Sequence, residues 1–141
     1  MNKIRHSGIV VSDIDKARRF YEKFFNFSVA REMNESGSFI DKILGYENIT
    51  VRTVKMYTGS SMLELLEFKN PEAKAKNREI SDYGCTHIAI TVQDLNKLYK
   101  DLKEDGIRFI SEPQTSPDGN AKVCFCRDHD GTYLELVEEV Q

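Results

Sequence analysis

Two histidines and two glutamates recur at matching places in this chain of 141 residues. The pattern His6-x-x-Ile9-x-Val11-x-Asp13-x-x-Lys16 returns as His87-x-x-Ile90-x-Val92-x-Asp94-x-x-Lys97. Later in each half, Leu63-Glu64-Leu65-Leu66-Glu67 is matched by Leu134-Glu135-Leu136-Val137-Glu138. Two matches in the same order point to a duplicated unit, not to chance. His6, Glu64, His87 and Glu135 are nitrogen and oxygen donors of the kind that hold a divalent metal. Neutral imidazole suits Zn, Ni, Co or Fe(II), and carboxylate oxygen suits harder ions. Four such ligands on an ion that prefers about six leave positions open for water or substrate. An ion held this way acts as a Lewis acid on a carbonyl or enolate oxygen. Each residue alone reads more simply, as a satisfied strand histidine or a solvated glutamate. Their recurrence in both halves raises the metal reading, as does the cost of burying such groups unpaired in one trough.

The elements that must position these donors follow from periodicity. Each half reads as a strand, a helix and three strands. A first strand over 4–11 alternates, with Ile9 and Val11 on one face and His6, Gly8 and Val10 on the other. Asp13 is placed to cap a helix carrying Ile14, Ala17, Tyr21 and Phe24 as its apolar stripe. Asp94 repeats the cap, Leu95, Leu98 and Leu102 the stripe, and Gly106 stops the second helix. Strands are predicted over 27–32, 48–57 and 61–68, and again over 107–111, 121–127 and 132–139. Turn residues at Thr58, Gly59 and Ser60, at Pro117, Asp118 and Gly119, and at His129, Asp130 and Gly131 separate them. Phe39, Ile40, Ile43 and Leu44 suggest a short helix within 34–46, ended by Gly45. The modules are thus 4–68 and 85–139, joined by a polar linker over 69–84, in a single domain spanning 1–141. In each Leu-Glu-Leu motif the leucines flank the glutamate and face away from it. Glu64 and Glu135 then lie opposite the helix-packed face, as do His6 and His87. If the two sheets curl toward each other, all four side chains point into one trough.

Composition narrows the function classes. The chain has 20 Lys+Arg against 23 Asp+Glu, a net charge of −3, with 40% hydrophobic and 30% charged residues. This weakly acidic balance argues against a nucleic-acid or anionic-membrane binder. The apolar runs are too short to span a bilayer, and the N-terminus lacks the apolar core of a signal peptide. A cytoplasmic location is the expectation. Cys85, Cys124 and Cys126 form no C-x-x-C pair and read as small buried thiols, with Cys124 and Cys126 on one strand face.

These motifs, with Phe20-Tyr21 in the first helix and Asp130-Gly131-Thr132-Tyr133-Leu134-Glu135-Leu136 near the end, resemble the vicinal oxygen chelate superfamily over residues 6–138. That superfamily includes glyoxalase I, methylmalonyl-CoA epimerase, extradiol dioxygenases and antibiotic-resistance proteins. The resemblance implies an α+β fold of two βαβββ modules pairing into a half-open barrel, and a homodimer. It also implies metal ligands at His6, Glu64, His87 and Glu135, with Ni, Co, Zn, Mn or Fe(II) as the ion. Extradiol dioxygenases lack a ligand at the position of Glu64, so its presence favours the lyase and isomerase branches, nearest glyoxalase I and methylmalonyl-CoA epimerase. There the implied chemistry is proton transfer alpha to a carbonyl of a small-molecule substrate through a metal-stabilised enediolate, with Glu135 or Glu64 as the proton shuttle. A metal-free small-molecule binder of the antibiotic-resistance type and an Fe(II) extradiol-type dioxygenase are the alternatives.

Two departures bear on the substrate. Bacterial glyoxalase I has an Arg four residues after its first ligand and an Asn four residues after its first-module glutamate, and both help hold glutathione. Val10 and Phe68 stand at those places here. The epimerase uses a further acid on the strand before the Leu-Glu-Leu strand, yet 48–57 contains none. Arg52, near the matching place, reads either as an exposed arginine or as an anchor for a substrate carboxylate or phosphate. Tyr57, Arg127 and Tyr133 are further substrate-binding candidates, whereas His129 reads as a surface residue.

Overall fold

The repeated aspartates start the two long helices as their spacing predicts. Asp13 accepts a hydrogen bond from the backbone N–H of Lys16, and Asp94 accepts one from that of Lys97, each at 3.0 Å. The computed structural model describes residues 1–140. Its elements, in chain order, are β1 (Ser7–Val10), α1 (Ile14–Phe25), β2 (Ser28–Ser36), α2 (Ser38–Leu44), β3 (Thr50–Thr58) and β4 (Ser61–Asn70), followed by β5 (His87–Thr91), α3 (Leu95–Glu104), β6 (Arg108–Phe109), β7 (Gln114–Thr115), β8 (Ala121–Arg127) and β9 (Tyr133–Glu139). The chain divides between Ala75 and Lys76 into two compact units.

The first unit holds a mixed sheet in the order β1-β4-β3-β2, with β1 parallel to β4 and the other pairs antiparallel. The helix α1 lies on one face. Its Ile14, Ala17, Phe20, Tyr21 and Phe25 are buried, with Val54, Met56, Leu63 and Leu65 buried on the strands. The second unit repeats this plan, in the order β5-β9-β8-β6, with β7 paired to β8. There Leu95 and Leu102 of α3, Cys124, Cys126, Leu134 and Leu136 are buried. The fold is therefore α+β, with two mixed sheets.

Several elements differ from the sequence reading. The first strand is Ser7–Val10, so His6 lies just before it. Phe20 and Phe25 fill the helix stripe, while Phe24 is only half-buried; the chain leaves the helix through Asn26 in the left-handed region, and Phe27 beyond it is buried. The strand expected over 27–32 continues to Ser36. That over 107–111 shrinks to Arg108–Phe109, and β7 was not foreseen. The short helix before Gly45 is present as α2, with Gly45 at φ +73° in the left-handed region. Its Ile40 packs with Ile49, Val51, Leu66 and Phe68.

Candidate metal centre

Strand register puts each histidine and glutamate together in the same way. Gly8 is the partner of Glu64 across β1 and β4, and His6 precedes Gly8 by two residues. Ala89 is the partner of Glu135 across β5 and β9, and His87 precedes Ala89 by two. Leu63, Leu65, Leu134 and Leu136 are buried on the helix side, which turns both glutamates to the opposite face. His6 Nε2 then lies 3.6 Å from Glu64 Oε1, and His87 Nε2 lies 3.4 Å from Glu135 Oε2.

These separations are longer than an N–H···O hydrogen bond of about 2.9 Å. They are close to those of two donors on one cation. Ligands about 2.1 Å from an ion and about 90–110° apart are separated by about 3.0–3.4 Å. Imidazole and carboxylate are donors that Ni, Co, Zn, Mn or Fe(II) accept, and one such pair supplies two of the positions an ion fills. His87 also has the outer contact that orients a ligand imidazole, since Thr86 Oγ1 lies 3.3 Å from its Nδ1 and leaves Nε2 toward Glu135. The Phe125 ring meets the His87 ring edge-on at 5.4 Å.

Among the described residues the donors gather as pairs, and no group of three or more His, Cys, Asp or Glu comes together as a metal cluster. The other candidates fall differently. Tyr57 is exposed and lies on the Glu64 face of β3. Tyr133 is the strand partner of both His87 and Arg127. The Arg127 guanidinium stacks on the Tyr133 ring at 4.3 Å and donates hydrogen bonds to the Tyr133 hydroxyl and to the Arg78 carbonyl.

Arg52 is the correction. It pairs with Glu67, on the helix side of the sheet and opposite Glu64. Both arms of its fork are engaged by Asp15 of α1, at 3.0 Å each, and Glu32 lies 3.5 Å away. The guanidinium beside Asp15 holds that carboxyl below its ordinary value. An anchor for substrate would need the fork free and on the donor face, so Arg52 leaves the candidate set.

Lys55 was missed. It is the strand partner of Glu64, with Nζ 3.8 Å from Oε2. The turn signal could have found it: with Gly59 and Ser60 as the loop, Thr58 pairs with Ser61, and counting back three rungs meets Lys55 opposite Glu64. Cys124 and Cys126 are buried as expected, and burial pushes their thiols up to about 11 and about 12. Cys85 is exposed, contrary to expectation, because it precedes β5 outside the core. His129 keeps a partial exposure beside Asp105 at 3.7 Å. No helix among the described residues is long and apolar enough to cross a membrane.

A family model described as the Glyoxalase/Bleomycin resistance protein/Dioxygenase superfamily matches residues 3–136. The chain belongs to that superfamily. It is 32% identical to the uncharacterized protein YwkD of Bacillus subtilis, over 99% of this chain and 98% of that one. It is 25% identical to a probable lactoylglutathione lyase of Synechocystis, over 94% and 92% of the two chains. A glyoxalase family protein from Bacillus cereus superposes with a TM-score of 0.89 at 23% identity, covering 100% of this chain and 96% of that one. That likeness supports the glyoxalase fold alone.

Proposed function

We propose that this protein is a metal-dependent lyase or isomerase that moves a proton next to a carbonyl of a small-molecule substrate. The observation that carries the reading is the duplicated His–Glu pair, placed at the same register in both modules. His6, Glu64, His87 and Glu135 together are the proposed donor set, with both modules working as one functional domain and the protein as a homodimer. A divalent ion bound by that set supplies Lewis-acid polarisation of a carbonyl oxygen. The protein's residues do the rest. Thr86 holds the His87 ring in orientation. Glu135 or Glu64 takes the proton from the carbon beside the carbonyl and returns it to the neighbouring position. Val10 and Leu66 face one another on the rung beside Gly8 and Glu64, so an apolar part of the substrate meets an apolar floor there. With Val10 and Phe68 where bacterial glyoxalase I keeps glutathione-holding residues, the substrate is proposed to be something other than glutathione hemithioacetal.

The test joins metal titration to proton exchange. Protein prepared without a nickel column is titrated with Ni, Co, Mn, Zn and Fe(II) by calorimetry. It is then incubated in D2O with a panel of 2-hydroxy carbonyl compounds and acyl thioesters. The expected outcome is saturable binding of at least one ion, and deuterium entry alpha to a carbonyl that depends on that ion and is lost in Glu135→Gln or Glu64→Gln. Tight binding of a panel compound with no metal and no exchange would replace this reading with the binder.

A further inference from the structure

The rung that carries Glu64 continues across the sheet into two cations. Glu64 pairs with Lys55, and Lys55 pairs with Arg31 of β2. Side chains of directly paired residues share a face, so all three stand on the side opposite α1. Like charges directly opposite one another on neighbouring strands destabilise a sheet. Glu64 offsets only one side of this pair, with its Oε2 3.8 Å from Lys55 Nζ. Arg31 is exposed and has no ion pair among the described residues. The carboxylate nearest along its own strand face, Glu35, is four residues on, or about 13 Å at strand rise.

The contrast with the other face is direct. There Arg52 is matched by Asp15 and Glu32, and Arg18 by Glu22 and Glu32. Arg52 and Arg18 are thus each matched by carboxylates, whereas on the donor face Lys55 has Glu64 alone and Arg31 has no ion pair among the described residues. The second unit repeats the motif, since Arg108 pairs with Arg127 on the Glu135 face. Arg127, however, is already spent on Tyr133 and the Arg78 carbonyl.

We propose that Lys55 and Arg31 form an oxyanion subsite that takes a carboxylate or phosphate group. Paired strand residues are close enough for an ammonium and a guanidinium to close on one such group, and the guanidinium fork matches its geometry. Strands are about 4.8 Å apart, so the subsite begins one spacing from Glu64 and ends two away. The substrate would then be a short anionic carbonyl compound, with its oxyanion about 5–10 Å from the reacting carbon. That the oxyanion belongs to the substrate rests on the proposed function; that this pair binds an oxyanion does not.

The test is an NMR titration of the isotopically labelled full chain, free of metal, with malonate in one arm and inorganic phosphate in the other. Saturable amide shifts centred on Arg31, Lys55 and Glu64 are expected, and the tighter arm identifies the group. Arg31→Gln and Lys55→Met should each weaken that binding about tenfold or more. Lys97→Met, on α3 and paired with Asp101, should leave it unchanged. Arg31→Gln should also melt no lower than the parent, because it removes a like-charge opposition; a merely structural arginine would lower the melting temperature. Shifts centred on Arg108 and Arg127, no saturation in either arm, or unweakened binding in both variants would overturn the assignment. If a variant does not fold, the location of the parent's shifts decides. Because no metal is present in either arm, failure of the metal-dependent reading would leave this result standing, and the converse also holds.

Discussion

At the scale of single residues, strand parity decides which charged groups share the face of the donors and which meet the helix. Arg52 and Lys55 are three apart on β3 and therefore face opposite ways. Arg52 meets Asp15 of α1, and Lys55 meets Glu64. The composition of 48–57 points to Arg52, because it is the arginine in an apolar run, and gives no sign of its face until the hairpin register is counted. A shift of one residue in that register would exchange the two roles. The Asp15–Arg52 pair makes its own prediction. Its carboxyl is held below the ordinary value by the Arg52 hydrogen bonds. A group depressed in the folded state stabilises above its unfolded pKa, and that contribution fades as pH falls through the folded value. Asp15→Asn should therefore lower the melting temperature slightly at pH 7, as expected of a half-exposed pair. The difference from the parent should close as pH falls below about 3.9. A gap that persists or widens at acid pH, in melts followed by circular dichroism, would mean that the carboxyl stabilises through something other than Arg52.

At the scale of elements, the duplication is legible because the same local physics is written twice. The Asp caps and the Leu-Glu-Leu strands formed as spacing predicts, and the helix stripes did so in part, with Phe24 and Leu98 only half-buried. Strand ends were less legible. The end of β2 depends on pairing with β3 out to Ser36↔Thr50, which no local pattern announces. The two-residue β6 is limited by pairing with β8, at Arg108↔Arg127 and Phe109↔Cys126. The two modules also differ where their sequences match. Glu67 accepts the backbone N–H of Ile14 at 2.7 Å, so a second carboxylate serves the start of α1. Its counterpart Glu138 instead faces Lys122 Nζ at 3.7 Å. The N-terminus of α3 therefore depends more heavily on Asp94 than that of α1 does on Asp13. Asp94→Ala should cost about 1–2 kcal/mol and Asp13→Ala about 0.5–1 kcal/mol, within the range of lost N-caps. Chemical denaturation of the two variants checks the order, and equal losses would show that Glu67 adds nothing to the cap.

At the scale of the whole molecule, the question is whether the two His–Glu pairs act as one donor set. Sequence repetition makes the pairs visible and the register makes each one close, but repetition says the same thing of two independent sites as of one shared site. Coordination chemistry separates them. A single histidine and a single carboxylate leave a divalent ion mostly hydrated and weakly held, whereas four protein donors replace most of its water. One shared site predicts one ion per chain, and His6→Ala with Glu64→Ala should abolish binding as completely as His87→Ala with Glu135→Ala. Two separate sites predict two weak ions per chain, each lost with its own pair only. Stability gives a second readout, because an ion bound only by the native state stabilises it. At about a hundredfold excess over Kd the gain is about 2.7 kcal/mol. For a protein of this length that is a rise of several degrees in melting temperature. The one-site reading therefore expects the parent to gain those degrees with its preferred ion and both double variants to gain none. If either variant keeps even half the rise, the remaining pair binds metal by itself, and the four-donor set must be given up while the duplicated scaffold stands.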